Sequence, residues 1–298
     1  ISQYYQLDND IEITLEANPD DLTSKKIQEL RNTPINRFSI GVQSFHEEDL
    51  KYMNRAHNVS EAFESIKNVQ NAGWNNITTD LIYGTPTLNN DKWQQNLEYI
   101  IDLGVPHLSA YSLTVEEKTP LYHAIKTGKE KPLDEVKSQN QFNTLIDFMP
   151  KHGFEQYEIS NFAKEGFVAK HNSSYWKGDT YLGLGPSAHS FNTHSRYWNV
   201  SNNALYIKAL QKGELNMQEE NLTEIEQYNE YIMTSLRTVW GCNRDLIEVR
   251  FSLFLVEFFD NSVKKWLKNG KIEQKHQVFK LSNEGKMLAD LIASDLFY

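Results

Sequence analysis

Several polar side chains stand out in this sequence by their company. Glu16 closes the run IEITLEA before an Asn-Pro pair, Gln43 lies in SIGVQSF, Asp80 lies in TTDLIYGTP, and Arg55 lies in MNRAH. Carboxylates such as Glu16 and Asp80 accept charge-assisted hydrogen bonds from hydroxyl and ammonium donors. The Gln43 amide both donates and accepts, and the Arg55 guanidinium offers a planar fork to carboxylate or hydroxyl oxygens. Singly, each has a plainer reading: a solvated strand-end carboxylate before a turn, an amide capping a core, a cation at a helix end. A second group is HNSSYWKG, residues 171 to 178. Neutral imidazole, here His171, can ligate iron, and Tyr175 and Trp176 supply flat apolar surface. The plainer reading has His171 satisfying a loop hydrogen bond and the two aromatics plugging the mouth of a barrel. A third feature is the single cysteine, Cys242, in a GCNRD turn. An iron–sulfur cluster needs several converging thiolates, which one cysteine cannot supply. No Ser-His-Asp order, P-loop or HExxH helix is present, so hydrolase and kinase chemistry have little support.

The elements that must position these groups alternate. Apolar strands at 11 to 17, 37 to 45, 76 to 84, 107 to 114 and 154 to 160 are separated by amphipathic helices at 21 to 33, 47 to 54, 60 to 72, 90 to 103 and 134 to 152. That series specifies a parallel sheet with crossover helices. Strand alternation puts Glu12, Thr14 and Glu16 on one face, Ser39 and Gly41 with Gln43, and Thr78 and Ile82 with Asp80. Polar groups therefore collect near the C-terminal strand ends, where ligands bind in a (β/α) barrel and equally in an open doubly wound sheet. After about residue 200 the pattern changes. Helices at 203 to 213, 222 to 240, 243 to 249 and 252 to 269, a hairpin from KIEQ and QVFKLS, and a final helix in NEGKMLADLIASDLF suggest a small winged-helix-like domain. The expected division is 1–200 and 201–298.

Composition bounds the rest. Apolar content of 39% and charged content of 23% describe an ordinary globular protein. A net charge of -10 argues against tracking phosphates, so the wing reads as a packing module rather than a nucleic-acid binder. No apolar run approaches the ~18 residues of a membrane span, and the start, ISQYYQLDND, does not resemble a signal peptide. Cytoplasmic residence is the expectation, and a chain with one cysteine and no internal disulfide suits it. The first residue is Ile1 rather than Met, and the sequence enters at once what reads as the middle of a βα series. An N-terminally shortened chain is the simplest expectation.

LEANPDD, SIGVQSF, NRAHN, TTDLIYGTP and HNSSYWKG together resemble the radical S-adenosylmethionine (SAM) superfamily. More narrowly they resemble the oxygen-independent coproporphyrinogen III oxidase-like proteins, and HNxxYW resembles their haem-chaperone branch. The resemblance implies an α/β fold, a partial (β/α) radical-SAM-type barrel, with a small C-terminal helical, winged-helix-like domain. It implies SAM contacts from Glu16, Gln43, Arg55 and Asp80, with Thr114 lining the adenine region. It implies haem contacts from His171, Tyr175 and Trp176, with His189 a weaker ligand candidate and LGLGPS a flexible backbone near a cofactor. The family uses a 4Fe-4S cluster held by CxxxCxxC, and no residues of this chain provide that ligand set. The implied function is haem binding and transfer to an acceptor protein, with a homodimer as the assembly. Alternatives are oxidative decarboxylation of coproporphyrinogen III and a degenerate, non-catalytic binding module.

Overall fold

The computed structural model describes residues 3–298 and divides into two compact units, Ile1–Val168 and Ala169–Tyr298. The change of sequence pattern near residue 200 thus lies inside the second unit, because the short helix and strands after residue 169 pack with the helices and hairpin C-terminal to them.

In the first unit, β1 (Thr14–Ala17) leads through α1 (Ser24–Leu30) to β2 (Arg37–Gln43). Helices α2 (Glu47–Tyr52) and α3 (Val59–Asn71) precede β3 (Ile77–Tyr83), and α4 (Asn90–Asp102) precedes β4 (His107–Ser112). Helices α5 (Pro120–Lys126) and α6 (Glu135–Phe148) then lead to β5 (Glu155–Glu158) and β6 (Asn161–Ala163). Local chemistry fixes the helix starts. Asn58 and Glu61 form a reciprocal capping box on α3, and the Asn89 side chain caps α4 at Lys92 N. Ala62, Ile66 and Val69 on α3 and Trp93, Leu97 and Ile100 on α4 are buried at helical spacing. They cover the sheet face carrying Phe38, Ile40, Ile77 and Leu81, all with 0% exposure, and each such side chain stabilises the fold by about 1.5–3 kcal/mol.

The sheet order is β1-β2-β3-β4-β6-β5. The β1-β2, β2-β3 and β3-β4 pairings are parallel, as the alternation of strands and helices predicts. The far edge differs from a simple continuing series. The three-residue strand β6 runs antiparallel to both β4 and β5 and sits between them. A turn at Ile159 and Ser160 folds the chain straight back, so β5 never pairs with β4. Strand β1 is also shorter than the expected 11 to 17.

The second unit opens with α7 (Lys170–Lys177), followed by β7 (His189–Phe191) and β8 (Ser195–Asn199), α8 (Asn203–Gln211) and β9 (Met217–Asn221). Strands β7, β8 and β9 form an antiparallel sheet. Then come α9 (Glu224–Leu236), β10 (Cys242–Asn243), α10 (Arg244–Arg250), α11 (Leu253–Lys268), β11 (Ile272–Lys275) and β12 (Val278–Leu281). The order β10-β12-β11, antiparallel throughout and flanked by α9, α10 and α11, is winged-helix-like. The expected final helix is broken into α12 (Asn283–Lys286) and α13 (Ala289–Asp295). Tyr228, Ile232, Phe259 and Ile292 form the core, and Tyr228 Oη donates to Leu296 O at 3.1 Å. Among the described residues no helix is long and apolar enough to cross a membrane.

Candidate functional site

The polar face of the first unit is built in two layers. Register lays Glu16 beside Ser39, Ser39 beside Thr78, Thr78 beside His107 and Asp80 beside Ser109. The deeper layer is a buried relay. Arg37, 5% exposed, donates to Thr78 Oγ1, which lies 3.0 Å from His107 Nδ1, and His107 Nε2 lies 2.7 Å from the Tyr157 hydroxyl. Arg37 Nε also stands 3.7 Å from the buried Glu12 carboxylate. Burial first, and then the Arg37 charge, holds His107 well below the ordinary imidazole range, so it is neutral. Strand alternation placed Glu12 and Thr78 on this face, but Arg37, His107 and Tyr157 were not singled out from sequence. The signal of the layer was the same period of two that flagged Asp80, carried two residues further toward the start of each strand.

Asp80 lies in the upper layer, half-buried between the Ser39 and Ser109 hydroxyls. Loss of water around its carboxyl raises the pKa from 3.8 to about 6, and the Glu16 charge adds to the rise. The Ser109 hydrogen bond, the Arg37 charge and the Ser39 hydrogen bond act the other way. A carboxylate poised in this way gains from any donor brought to it.

Gln43 and Arg55 meet at Gly41. Strand β2 breaks register between Ile40 and Gln43, and Gln43 takes the left-handed φ of 68°. Arg55 Nη2 donates to Asn18 Oδ1 and to Gly41 O at 3.2 Å. A Cβ on residue 41 would stand 3.0 Å from Gln43 Nε2 and 3.4 Å from Arg55 Nη2, so glycine keeps this concavity open. The loop after β3 is fixed from beneath. Gly84 adopts φ +80°, its N–H donates to Gln141 Oε1 at 2.7 Å, and the Thr85 and Thr87 hydroxyls donate to the buried Asp49. Asp49 and Gln141 were not singled out by sequence, where they read as ordinary helix residues. Thr114 is exposed beyond β4 and donates to Glu116 Oε1 at 3.3 Å. Glu16 and Asp80 thus share one patch and Gln43 and Arg55 another, while the hydrogen bond of Thr114 ties it to its own loop.

The second unit carries the HNSSYWKG residues on α7. His171 and Tyr175, one helical turn apart, meet with Nε2 and the hydroxyl 3.0 Å apart and rings edge to face at 5.0 Å. Tyr175 also abuts Tyr181 at 4.7 Å. Trp176 lies beneath the Arg237 guanidinium at 5.5 Å, and its indole N–H is buried without an acceptor. His189 stacks on Trp198 in the neighbouring strand at 6.0 Å.

Two cofactors can be tested against these residues. For SAM the donor set fits: carboxylates at Glu16 and Asp80, the space kept by Gly41, and a buried Arg55 Nε that lacks a partner. For a 4Fe-4S cluster this chain's residues do not fit. Cys242 is fully buried, burial pushes its thiol up to about 12, and among the described residues no group of three or more His, Cys, Asp or Glu could hold a metal ion.

Comparison with known proteins places the chain in a family. Residues 2–100 match the model of the Radical SAM superfamily and residues 222–288 that of the HemN C-terminal domain. The solved coproporphyrinogen III oxidase (HemN) from Escherichia coli superposes with a TM-score of 0.79 at 19% identity, covering 99% of this chain and 72% of that one. Fold and family models together define a radical SAM protein with the HemN-type architecture. The heme chaperone HemW of Bacillus subtilis is 31% identical over 280 residues, covering 94% of this chain and 74% of the relative. That of Lactococcus lactis is 30% identical over 282 residues with the same coverage. The chain belongs to the HemN-like radical SAM family that contains the HemW proteins.

Proposed function

We propose that the protein is a cytoplasmic haem chaperone, holding haem on its second unit through His171 and SAM on its first. The observation that carries the haem reading is the pairing of His171 with Tyr175 on α7. Histidines that ligate iron commonly have one ring nitrogen held by a partner, which fixes the tautomer and the ring plane. Tyr175 is such a partner, and Trp176 on the same helix adds an aromatic surface beside it.

In the first unit Glu16 and Asp80 accept from the hydroxyl and ammonium donors of SAM, and Arg55 and Gln43 complete its polar contacts, with Thr114 beside the adenine. Where a family member also holds its cluster, SAM supplies one-electron chemistry; the residues of this chain bind and orient it. The relatives' designation as chaperones supports transfer of haem to an acceptor protein. The exposed Leu205, Ile207 and Leu210 of α8 support a homodimer.

Titration of ferric haem into the protein and into His171→Ala, followed at the Soret band, tests the reading. Loss of the band shift and at least tenfold weaker binding in the variant are expected, tenfold being about 1.4 kcal/mol. Unchanged spectra and affinity would remove His171 as the ligand.

A further inference from the structure

A cavity of about 320 Å³ opens in the second unit where α7 faces α9 and α10. Its wall includes Trp176, Tyr231 and Trp240, and two cations, Lys177 and Arg250, stand among these rings. Lys177 Nζ lies 4.8 Å from the centre of the Trp240 ring, and the Arg250 guanidinium lies 5.4 Å from that of Tyr231 and 5.2 Å from that of Phe251. Among the described residues neither cation has a carboxylate partner. The acidic side chain of the lining, Glu230, is already committed to Arg196. The cavity is therefore aromatic and net positive, with two charges left over.

The polar inventory points the same way. Trp176 lines the cavity and its indole N–H, a donor with no acceptor capacity, is buried without a partner. A buried donor left unmade is costly, so a ligand that brings an acceptor to it gains that bond. Flat rings take a flat ligand face, and cations already stacked on rings still present N–H groups at their edges to a carboxylate. The volume is at the small end of ligand pockets, which run from about 300 to 1,000 Å³. It suits one edge of a large planar ligand rather than the whole.

We infer that this cavity receives the carboxylate-bearing edge of a porphyrin, with Lys177 and Arg250 holding the carboxylates and Trp176, Tyr231 and Trp240 against the ring. The choice of porphyrin rests on the proposed haem binding; the preference for a planar aromatic carboxylate rests on the cavity alone. Recognition of the carboxylates and ligation of the iron are separate interactions, so they can be tested apart.

The probes are metal-free protoporphyrin IX and its dimethyl ester, titrated against the intact protein with tryptophan quenching and porphyrin anisotropy as readouts. With no iron present, these readouts report the contacts to the carboxylates and the ring alone. Lys177→Gln combined with Arg250→Gln weakens the diacid by at least about tenfold, the loss expected for charge-assisted hydrogen bonds, and leaves the diester unchanged. Both side chains are exposed, so the double variant keeps its fold, which circular dichroism verifies. A second variant, Trp240→Leu, weakens diacid and diester alike. Failure of the diacid to bind, or equal affinity of the double variant and wild type for it, overturns the inference. If His171→Ala leaves ferric haem binding unchanged while the diacid and diester still separate, the iron-ligand reading fails and the carboxylate site stands.

Discussion

Asp80→Asn should make the protein more stable at neutral pH and a poorer SAM binder. A carboxyl raised from 3.8 to about 6 is held against its ionisation, at about 1.4 kcal/mol per pH unit. Below pH 3.8 the side chain is protonated folded and unfolded, and it contributes no penalty. As pH rises towards 6 the unfolded chain releases its proton first, and stability falls until the penalty reaches about 3 kcal/mol. Asparagine cannot ionise and has no such penalty. Packing or hydrogen-bond differences of the amide are independent of pH, so the informative quantity is the change in the gap between variant and wild type. Urea denaturation at pH 4.5 and pH 7.5 should show that gap shifting in favour of the variant by about 2 kcal/mol. SAM binding by equilibrium dialysis should weaken in the same variant. A gap that stays constant with pH, or shifts in favour of wild type, would refute the reasoning that burial and Glu16 hold this carboxyl in an unfavourable charge state.

Other parts of the structure carry their own expected outcomes. Gly41→Ala should weaken SAM binding by roughly tenfold, about 1.4 kcal/mol, because its Cβ intrudes between Gln43 and Arg55; calorimetric titration checks it, and unchanged affinity would contradict the placement. Arg37→Met should destabilise the protein by about 3 kcal/mol in denaturation experiments, since it leaves buried Glu12 and Thr78 without their cation. Cys242 should resist a thiol-specific reagent at pH 8 in the folded protein and react once urea unfolds it; rapid native labelling would show the thiol is not held in the core.

Much of this site was legible in the sequence because strand alternation is a rigid rule. Glu16 and Asp80 were placed on one sheet face by period alone, and the parallel order of β1 to β4 followed from the helices between them. Period alone also put Thr78 on the face of Asp80, but its pairing with Arg37 and His107 was not legible, because a strand polar residue facing solvent and one facing a partner have the same spacing. The concavity at Gly41 depends on a register break that side-chain pattern does not encode. Strand β6 is three residues long and lacks any alternation to read, and β7 to β9 are paired through tertiary contacts in a segment with little apolar period. The geometry of His171 with Tyr175 follows from helical spacing, once α7 is known to be a helix rather than a loop.

The proposed haem site turns on His171 as the iron ligand. Electron paramagnetic resonance of the ferric haem complex tests it most directly, comparing wild type with His171→Ala and His189→Ala. A histidine-ligated signal is expected in wild type and His189→Ala and is lost only in His171→Ala. The same signal surviving in His171→Ala would contradict it.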